Sequence, residues 1–101
     1  MKKIRQIQMV EITEFEWDEK KRLLTIEKSG VDFRIVAPWL LQPHLESPSP
    51  RDGEPRIQAI CGSQGRVVVI VYVVREGRCR IISAWPADRN EQTKYRQVFD
   101  T

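Results

Sequence analysis

The feature that most constrains the fold is a long β-branched run that meets a second apolar run across a two-residue turn. Residues 67–74 are almost entirely Val, Ile and Tyr, and residues 79–84 resume a mainly apolar pattern after Glu76-Gly77. Glycine in so short a connection between two β-rich runs is a strong signal for a β-hairpin. The sequence therefore predicts that both segments are strands and that they pair antiparallel.

A two-residue turn also fixes the register of this hairpin, with Arg75 opposite Arg78 and Val73 opposite Arg80. Side chains alternate between the two faces of a sheet. The face that carries these arginines is predicted to carry Val69, Val71, Val73, Ile82 and Ala84. The opposite face is predicted to carry Val68, Ile70, Tyr72, Val74, Cys79, Ile81, Ser83 and Trp85. Three neighbouring guanidinium groups repel one another, so they indicate either a phosphate ligand, an acidic partner or a hairpin tip solvated by water.

The segments before the hairpin predict two helices, a loop and a third strand. Asp18 as N-cap and Gly30 as C-terminal stop predict a helix over 19–28. Residues 31–41 contain Pro38 and predict a short helix followed by an irregular apolar turn. Four prolines within residues 43–55 indicate a surface loop. Residues 56–61 predict a strand that pairs with the first strand of the hairpin.

The fold class predicted from these elements is α+β. Asp88 and Glu91 form a capping-box pattern that predicts a last helix ending near Phe99, with Tyr95, Val98 and Phe99 buried. We expect N-terminal helices packed on a small antiparallel sheet, followed by this C-terminal helix. Apolar residues alternate loosely with polar ones over residues 1–14, which predicts either an edge strand or a mobile extension. Residues 15–101 are expected to form a single domain.

Composition narrows the function classes. The chain has 101 residues and a net charge of +3, and residues 51–96 hold nine Lys and Arg against five Asp and Glu. This basic excess is compatible with RNA, DNA or an acidic protein as partner. Cys61 and Cys79 have no metal-binding spacing and His44 is the only histidine, so we expect neither a metal nor another cofactor. We also expect no signal peptide, no membrane span and a cytoplasmic location with reduced thiols.

The residues that remain suit cleavage of RNA without a metal. RNA carries its own nucleophile, the 2′-hydroxyl, so a protein needs to position it and to stabilise charge on the phosphorus oxygens. The predicted catalytic residues are Arg56, Arg80, Glu91 and Tyr95. Arg56 can instead form a surface salt bridge with Glu54, Glu91 can serve only the capping box, and Tyr95 can serve only packing. The predicted RNA contacts are Lys21, Lys28, Arg75, Arg78 and Arg89.

Several short motifs stand in order between residues 15 and 95. They are Phe15-Glu16-Trp17-Asp18-Glu19, Lys21, Lys28-x-Gly30-Val31-x-Phe33, Gly53-Glu54-x-Arg56, Arg80-Ile81-Ile82-Ser83-Ala84 and Ala87-x-x-x-Glu91-x-x-x-Tyr95. Together they resemble the BrnT toxins of type II toxin–antitoxin systems. The resemblance implies a RelE-like fold, metal-independent ribonuclease activity and neutralisation by a small antitoxin. It also implies that DNA is bound mainly through the antitoxin.

The chain departs from the pattern of these toxins at several positions, which include Arg22 and Thr25, where the toxins usually have Asn. It has Ser29, Trp85 and Pro86 where they usually have His, Arg and Lys, so two expected phosphate contacts are missing. Two other functions therefore stay open. The chain can be a catalytically weakened relative that acts as a binding or regulatory partner of an antitoxin. It can also be an unrelated small α+β protein with no nucleic-acid role.

Overall fold

A six-stranded sheet is the centre of the computed structural model, which describes residues 5–7, 14–49 and 55–99. Three α-helices and one 3-10 helix accompany it. In chain order the elements are β1 (Arg5–Ile7), β2 (Glu14–Glu16), α1 (Glu19–Ser29), α2 (Phe33–Val36), the 3-10 helix (Ala37–Leu41), β3 (His44–Pro48), β4 (Ile57–Ser63), β5 (Arg66–Arg75), β6 (Arg78–Pro86) and α3 (Arg89–Phe99). The α+β class predicted from the sequence is confirmed.

The order of the strands corrects the predicted architecture in two ways. The strands lie side by side as β1-β3-β4-β5-β6-β2, so two short strands precede the helices in the chain and form the two edges of the sheet. The sheet is mixed rather than antiparallel, because β2 runs parallel to β6 while the other neighbours pair antiparallel. Each edge strand is only three residues long.

The hairpin of β5 and β6 is confirmed, together with the register at its turn. Arg75 lies opposite Arg78, and Val73 lies opposite Arg80. Glu76 and Gly77 have φ angles of 51° and 78°, which is the backbone of a two-residue turn whose twist matches the paired strands. The predicted pairing of β4 with β5 is also present.

Beyond the turn region, the predicted faces of β6 are wrong because of a β-bulge. Tyr72 pairs with Ile81 but Val71 pairs with Ser83, so Ile82 is an extra residue on β6. One inserted residue reverses the facing of every residue that follows it. Trp85 therefore lies opposite Val69 and shares its face, rather than the face of the Ile70 row to which the alternation had placed it.

The larger part of the core lies on one face of the sheet, beneath the helices of the first half of the chain. Asp18 caps α1 by accepting from the Lys20 N–H at 2.9 Å, and Gly30 ends it with a φ of 74°, as predicted. The chain then continues through α2 and, where an irregular turn was predicted, the 3-10 helix. The buried side chains here include Val31, Phe33, Leu40, Cys61, Ile70, Tyr72 and Ile81.

The opposite face, termed the α3 face, carries a smaller core. Leu45, Ile60 and Val69 are buried there, and the side chains packed against them include Trp85, Tyr95 and Phe99. The capping box predicted for this helix is present, since the Asp88 N–H donates to Glu91 and the Glu91 N–H donates to Asp88, both at 2.8 Å. The prediction that Val98 is buried is wrong, because half of its surface is exposed.

The predicted loop over residues 43–55 contains a strand that the sequence analysis missed. β3 pairs with β1 on one side and β4 on the other. Its residue His44 is fully buried, and residues 50–54 lie outside the described part of the chain. None of the helices in the described ranges is long and apolar enough to span a membrane.

Candidate active site on the α3 face

The cavity that brings predicted site residues together opens on the α3 face, beyond the area that α3 covers. It has a volume of about 250 Å³. Gln58, Val71 and Ser83 form one row across three strands at its base. The full lining consists of Lys21, Ser49, Arg56, Gln58, Val71, Ile82, Ser83 and Trp85. We call this space the Arg56 cavity.

Arg56 has the most unusual environment of the predicted catalytic residues. It directly precedes β4, and the Ser49 N–H donates to its carbonyl oxygen at 2.9 Å, which joins the backbone on both sides of residues 50–54. Its Nε is buried and has no hydrogen-bond partner among the described residues. A buried, unpaired donor of a charged group is costly, so this guanidinium is suited to an anion that enters the cavity.

Lys21 supplies a second positive charge to the same cavity from α1, which packs against β6. The side chain was predicted to contact RNA. Within the described ranges no carboxylate forms an ion pair with Lys21 or Arg56. Two cations from different elements therefore converge on one small space, and nothing described near them neutralises their charge.

The β-bulge at Ile82 determines which residues of β6 reach the cavity. With unbroken alternation Ser83 and Trp85 would lie on the other face of the sheet, in the large core. The extra residue turns both of them to the α3 face, where they line the cavity. Bulges commonly re-aim side chains beside functional sites.

The arginines at the hairpin turn have acidic neighbours that the sequence analysis did not pair with them. β2 lies beside β6, and Arg80 Nη1 donates to Glu16 Oε2 at 3.0 Å. Arg78 Nε lies 2.5 Å from Glu14 Oε1, and Arg75 is exposed opposite Arg78. The expected repulsion is thus relieved within the chain, and these arginines lie outside the lining of the Arg56 cavity.

Glu91 borders a second cavity that adjoins the first. The residues lining this second cavity include Gln58, Glu91 and Lys94, and Gln58 lines both cavities. One carboxylate oxygen of Glu91 accepts from the Asp88 N–H. Glu91 itself does not line the Arg56 cavity.

Tyr95 packs on the α3 face, one turn further along the helix. Its ring centroid is 4.8 Å from that of Phe99, and the ring lies directly over Gly62. Burial raises the pKa of its phenol, so the hydroxyl remains protonated near neutral pH. Arg89, the first residue of α3, and Lys28, in the last turn of α1, are both exposed and stand apart from this ring.

A buried polar network on the opposite face was not predicted. His44 Nδ1 donates to the Gln42 carbonyl oxygen at 2.7 Å, and His44 Nε2 lies 2.8 Å from Glu46 Oε2. The Tyr72 hydroxyl donates to the same Glu46 oxygen. Burial is the main cause that raises the pKa of Tyr72, and the bond to Glu46 adds to it. The network joins β3 to β5 across the core.

The two cysteines are buried side chains of β4 and β6. Cys61 and Cys79 are free thiols in the large core. Burial raises the pKa of both, to about 12 for Cys79, so they stay protonated and unreactive at neutral pH. Within the described ranges no group of three or more His, Cys, Asp or Glu side chains is arranged to hold a metal ion.

Sequence comparison identifies the family of the chain. The family model for the "Ribonuclease toxin, BrnT, of type II toxin-antitoxin system" matches residues 17–91, which include both cations of the Arg56 cavity. The chain belongs to the BrnT family. The toxins of this family act on RNA and are paired with an antitoxin. No curated protein sequence matches the chain closely enough to count as a relative.

Proposed function

We propose that this BrnT family member is a metal-independent endoribonuclease of RelE-like type that holds the RNA phosphate in the Arg56 cavity. The observation that carries the proposal is the buried, unpaired Nε of Arg56 beside Lys21. A guanidinium held in a partly dry site stabilises negative charge more strongly than one in water. The charge that needs this stabilisation is the one that develops on the phosphorus oxygens during attack by the 2′-hydroxyl.

In this reaction two of the cavity residues supply positive charge and two others position the substrate. Arg56 can donate two parallel hydrogen bonds to phosphate oxygens, and Lys21 adds a point charge. Gln58 and Ser83 flank Val71 on the sheet and can bond to the sugar or the base. Because strands hold these groups, their spacing is fixed before RNA binds, and that favours the transition state.

The other predicted catalytic residues keep their proposed roles under stated conditions. Arg80 can reach phosphate after it leaves Glu16, and Glu91 can act as a base after it leaves the Asp88 N–H. Tyr95 can donate its proton but cannot accept one at neutral pH, since its pKa is raised. Arg75, Arg78, Arg89 and Lys28 extend the positive surface for the flanking RNA. A small antitoxin neutralises the toxin in the cytoplasm, and the complex contacts DNA through the antitoxin.

Cleavage in the presence of EDTA tests the metal-independent chemistry. Purified protein is expected to cut single-stranded RNA at the same rate with and without the chelator, because the charge is stabilised by arginine and lysine. Affinity for RNA is expected to fall with salt, with a log–log slope of about 0.7 for each phosphate neutralised. An EDTA-sensitive nuclease, or an affinity that does not change with salt, contradicts the proposal.

A second candidate function is supported by the state of two predicted catalytic residues. Arg80 is ion-paired with Glu16, and Glu91 is engaged in the capping box. A relative with a weakened site would still bind its antitoxin without cutting RNA. Induced expression separates the two functions: a nuclease toxin arrests growth and co-expressed antitoxin relieves the arrest, whereas a binding partner forms the complex without any arrest.

A further inference from the structure

The walls of the Arg56 cavity differ in chemistry in a way that phosphate binding alone does not explain. Lys21 and Arg56 provide positive charge, while Gln58 provides an amide with both donors and an acceptor. The indole of Trp85 provides a broad apolar surface on the same cavity. A site for phosphate alone would need the cations but neither the amide nor the indole.

Trp85 is available for a ligand although it belongs partly to the core. It packs against the cluster around Val69, yet it is only partly buried and also borders the cavity. The bulge at Ile82 is the reason that the indole faces the cavity at all. The irregular strand therefore places a large flat aromatic ring on the cavity that the two cations also line.

The size of the cavity limits what can fill it. Its volume of about 250 Å³ is slightly smaller than that of small-molecule pockets, which start at about 300 Å³. A double helix cannot enter such a space, and neither can a stretch of several nucleotides. One nucleotide with its base turned out of a stack is of the appropriate scale and offers a flat ring, hydrogen-bonding edges and a charge.

We propose that the Arg56 cavity is a subsite for one unpaired nucleotide, with its phosphate on Arg56 and Lys21 and its base stacked on Trp85. Single-stranded RNA is commonly recognised by splayed bases that stack on aromatic rings and bond through their edges. Gln58 lies in the row beneath the base and contacts its edge. This subsite rests on the proposed function, since it makes the substrate a single-stranded RNA, but it is a binding property that can be measured without cleavage.

The test is a titration by NMR with four probes: adenosine 3′-monophosphate, uridine 3′-monophosphate, ribose 5-phosphate and inorganic phosphate. The wild type is expected to bind at least one of the nucleotides about tenfold more tightly than ribose 5-phosphate, because a stacked base contributes about one such factor. Trp85→Leu is expected to abolish that difference, and Trp85→Phe to retain most of it. Arg56→Gln is expected to weaken all four probes, whereas the matched charge change Arg66→Gln, near the turn between β4 and β5, leaves them unchanged.

Several results would overturn the subsite. They are equal affinities for the nucleotides and ribose 5-phosphate, an undiminished base preference in Trp85→Leu, or no shift with any probe. Trp85→Phe keeps the test decisive if the leucine variant fails to fold, since loss of the preference in a folded phenylalanine variant also counts against stacking. A protein that shows base-dependent binding but cuts no RNA contradicts the proposed nuclease activity and leaves the subsite intact. A protein that cuts RNA without base-dependent binding contradicts the subsite and leaves the proposed nuclease activity intact.

Discussion

Tyr72→Phe isolates one bond of the buried network and is expected to destabilise the fold measurably. The substitution removes only the hydroxyl that donates to Glu46, in a place where Tyr72 is fully buried and Glu46 is 6% exposed. A hydrogen bond to a charged group contributes about 1.5–3 kcal/mol. We therefore expect a loss of about 2 kcal/mol, which corresponds to a fall in Tm of roughly 8–16 °C for a domain of this size.

Urea denaturation followed by circular dichroism measures this loss, and Tyr95→Phe is its matched control. The Tyr95 hydroxyl has no hydrogen-bond partner among the described residues, so its removal should change stability by less than about 0.5 kcal/mol. His44→Ala should lower the free energy of unfolding more than Tyr72→Phe, by about 3–5 kcal/mol, because it removes the contact of His44 Nε2 with the buried Glu46 carboxylate. Equal urea midpoints for wild type and Tyr72→Phe would refute the reasoning.

Three other features give shorter tests of the fold. Gly62→Ala should lower the free energy of unfolding by about 1–3 kcal/mol, because the added Cβ would lie 2.7 Å from the Tyr95 ring. An unchanged urea midpoint would contradict that contact. Stability should fall above pH 9 by about 1.4 kcal/mol per pH unit for Cys79, whose pKa burial raises from 9.0 to about 12, because this thiol ionises only in the unfolded chain. A Cys79→Ala variant with the same alkaline slope argues against this. Asp88→Ala should lower the free energy of unfolding by about 1 kcal/mol, because α3 loses its N-terminal cap. The same urea denaturation measures this, and an unchanged midpoint would show that the cap does not stabilise the fold.

The hairpin and the caps were predictable from the sequence because their causes are local. Glu76-Gly77 needs two positive φ angles, and the flanking β-branched runs exclude a helix. Asp18 with Gly30 likewise marks the ends of α1 by side-chain chemistry within a few residues. Such signals come from residues that are only a few positions apart, so they can be recognised in the sequence itself.

The elements that were missed depend on partners far away in the chain. β3 lies between two strands and is flanked by prolines, so its own composition indicates a loop. β2 is a strand because it can pair with β6 and because Glu16 meets Arg80 across that pairing. The buried His44 contacts Gln42 and Glu46, both two residues away, but Glu46 in turn accepts from the hydroxyl of Tyr72, which is 26 residues from it.

The candidate site was predictable by residue type but not by arrangement. Arg56 and Lys21 were both predicted to contact RNA phosphate or to act in catalysis, on grounds of charge and family pattern. Their convergence depends on the packing of α1 against β6. Regular alternation placed Trp85 on the face of the sheet opposite the arginines. One inserted residue, Ile82, changes that outcome, and no average propensity of the strand reveals it.

The most direct test of the central claim compares Arg56→Gln with Arg66→Gln in single-turnover cleavage of one RNA. Both variants lose one positive charge, but Arg56 lines the cavity and Arg66 does not. Loss of one transition-state donor of this kind costs about a hundredfold in rate. We expect that fall for Arg56→Gln and a wild-type rate for Arg66→Gln, with both proteins folded by circular dichroism. A folded Arg56→Gln protein that cuts RNA as fast as the wild type would contradict the assignment of the active site to this cavity.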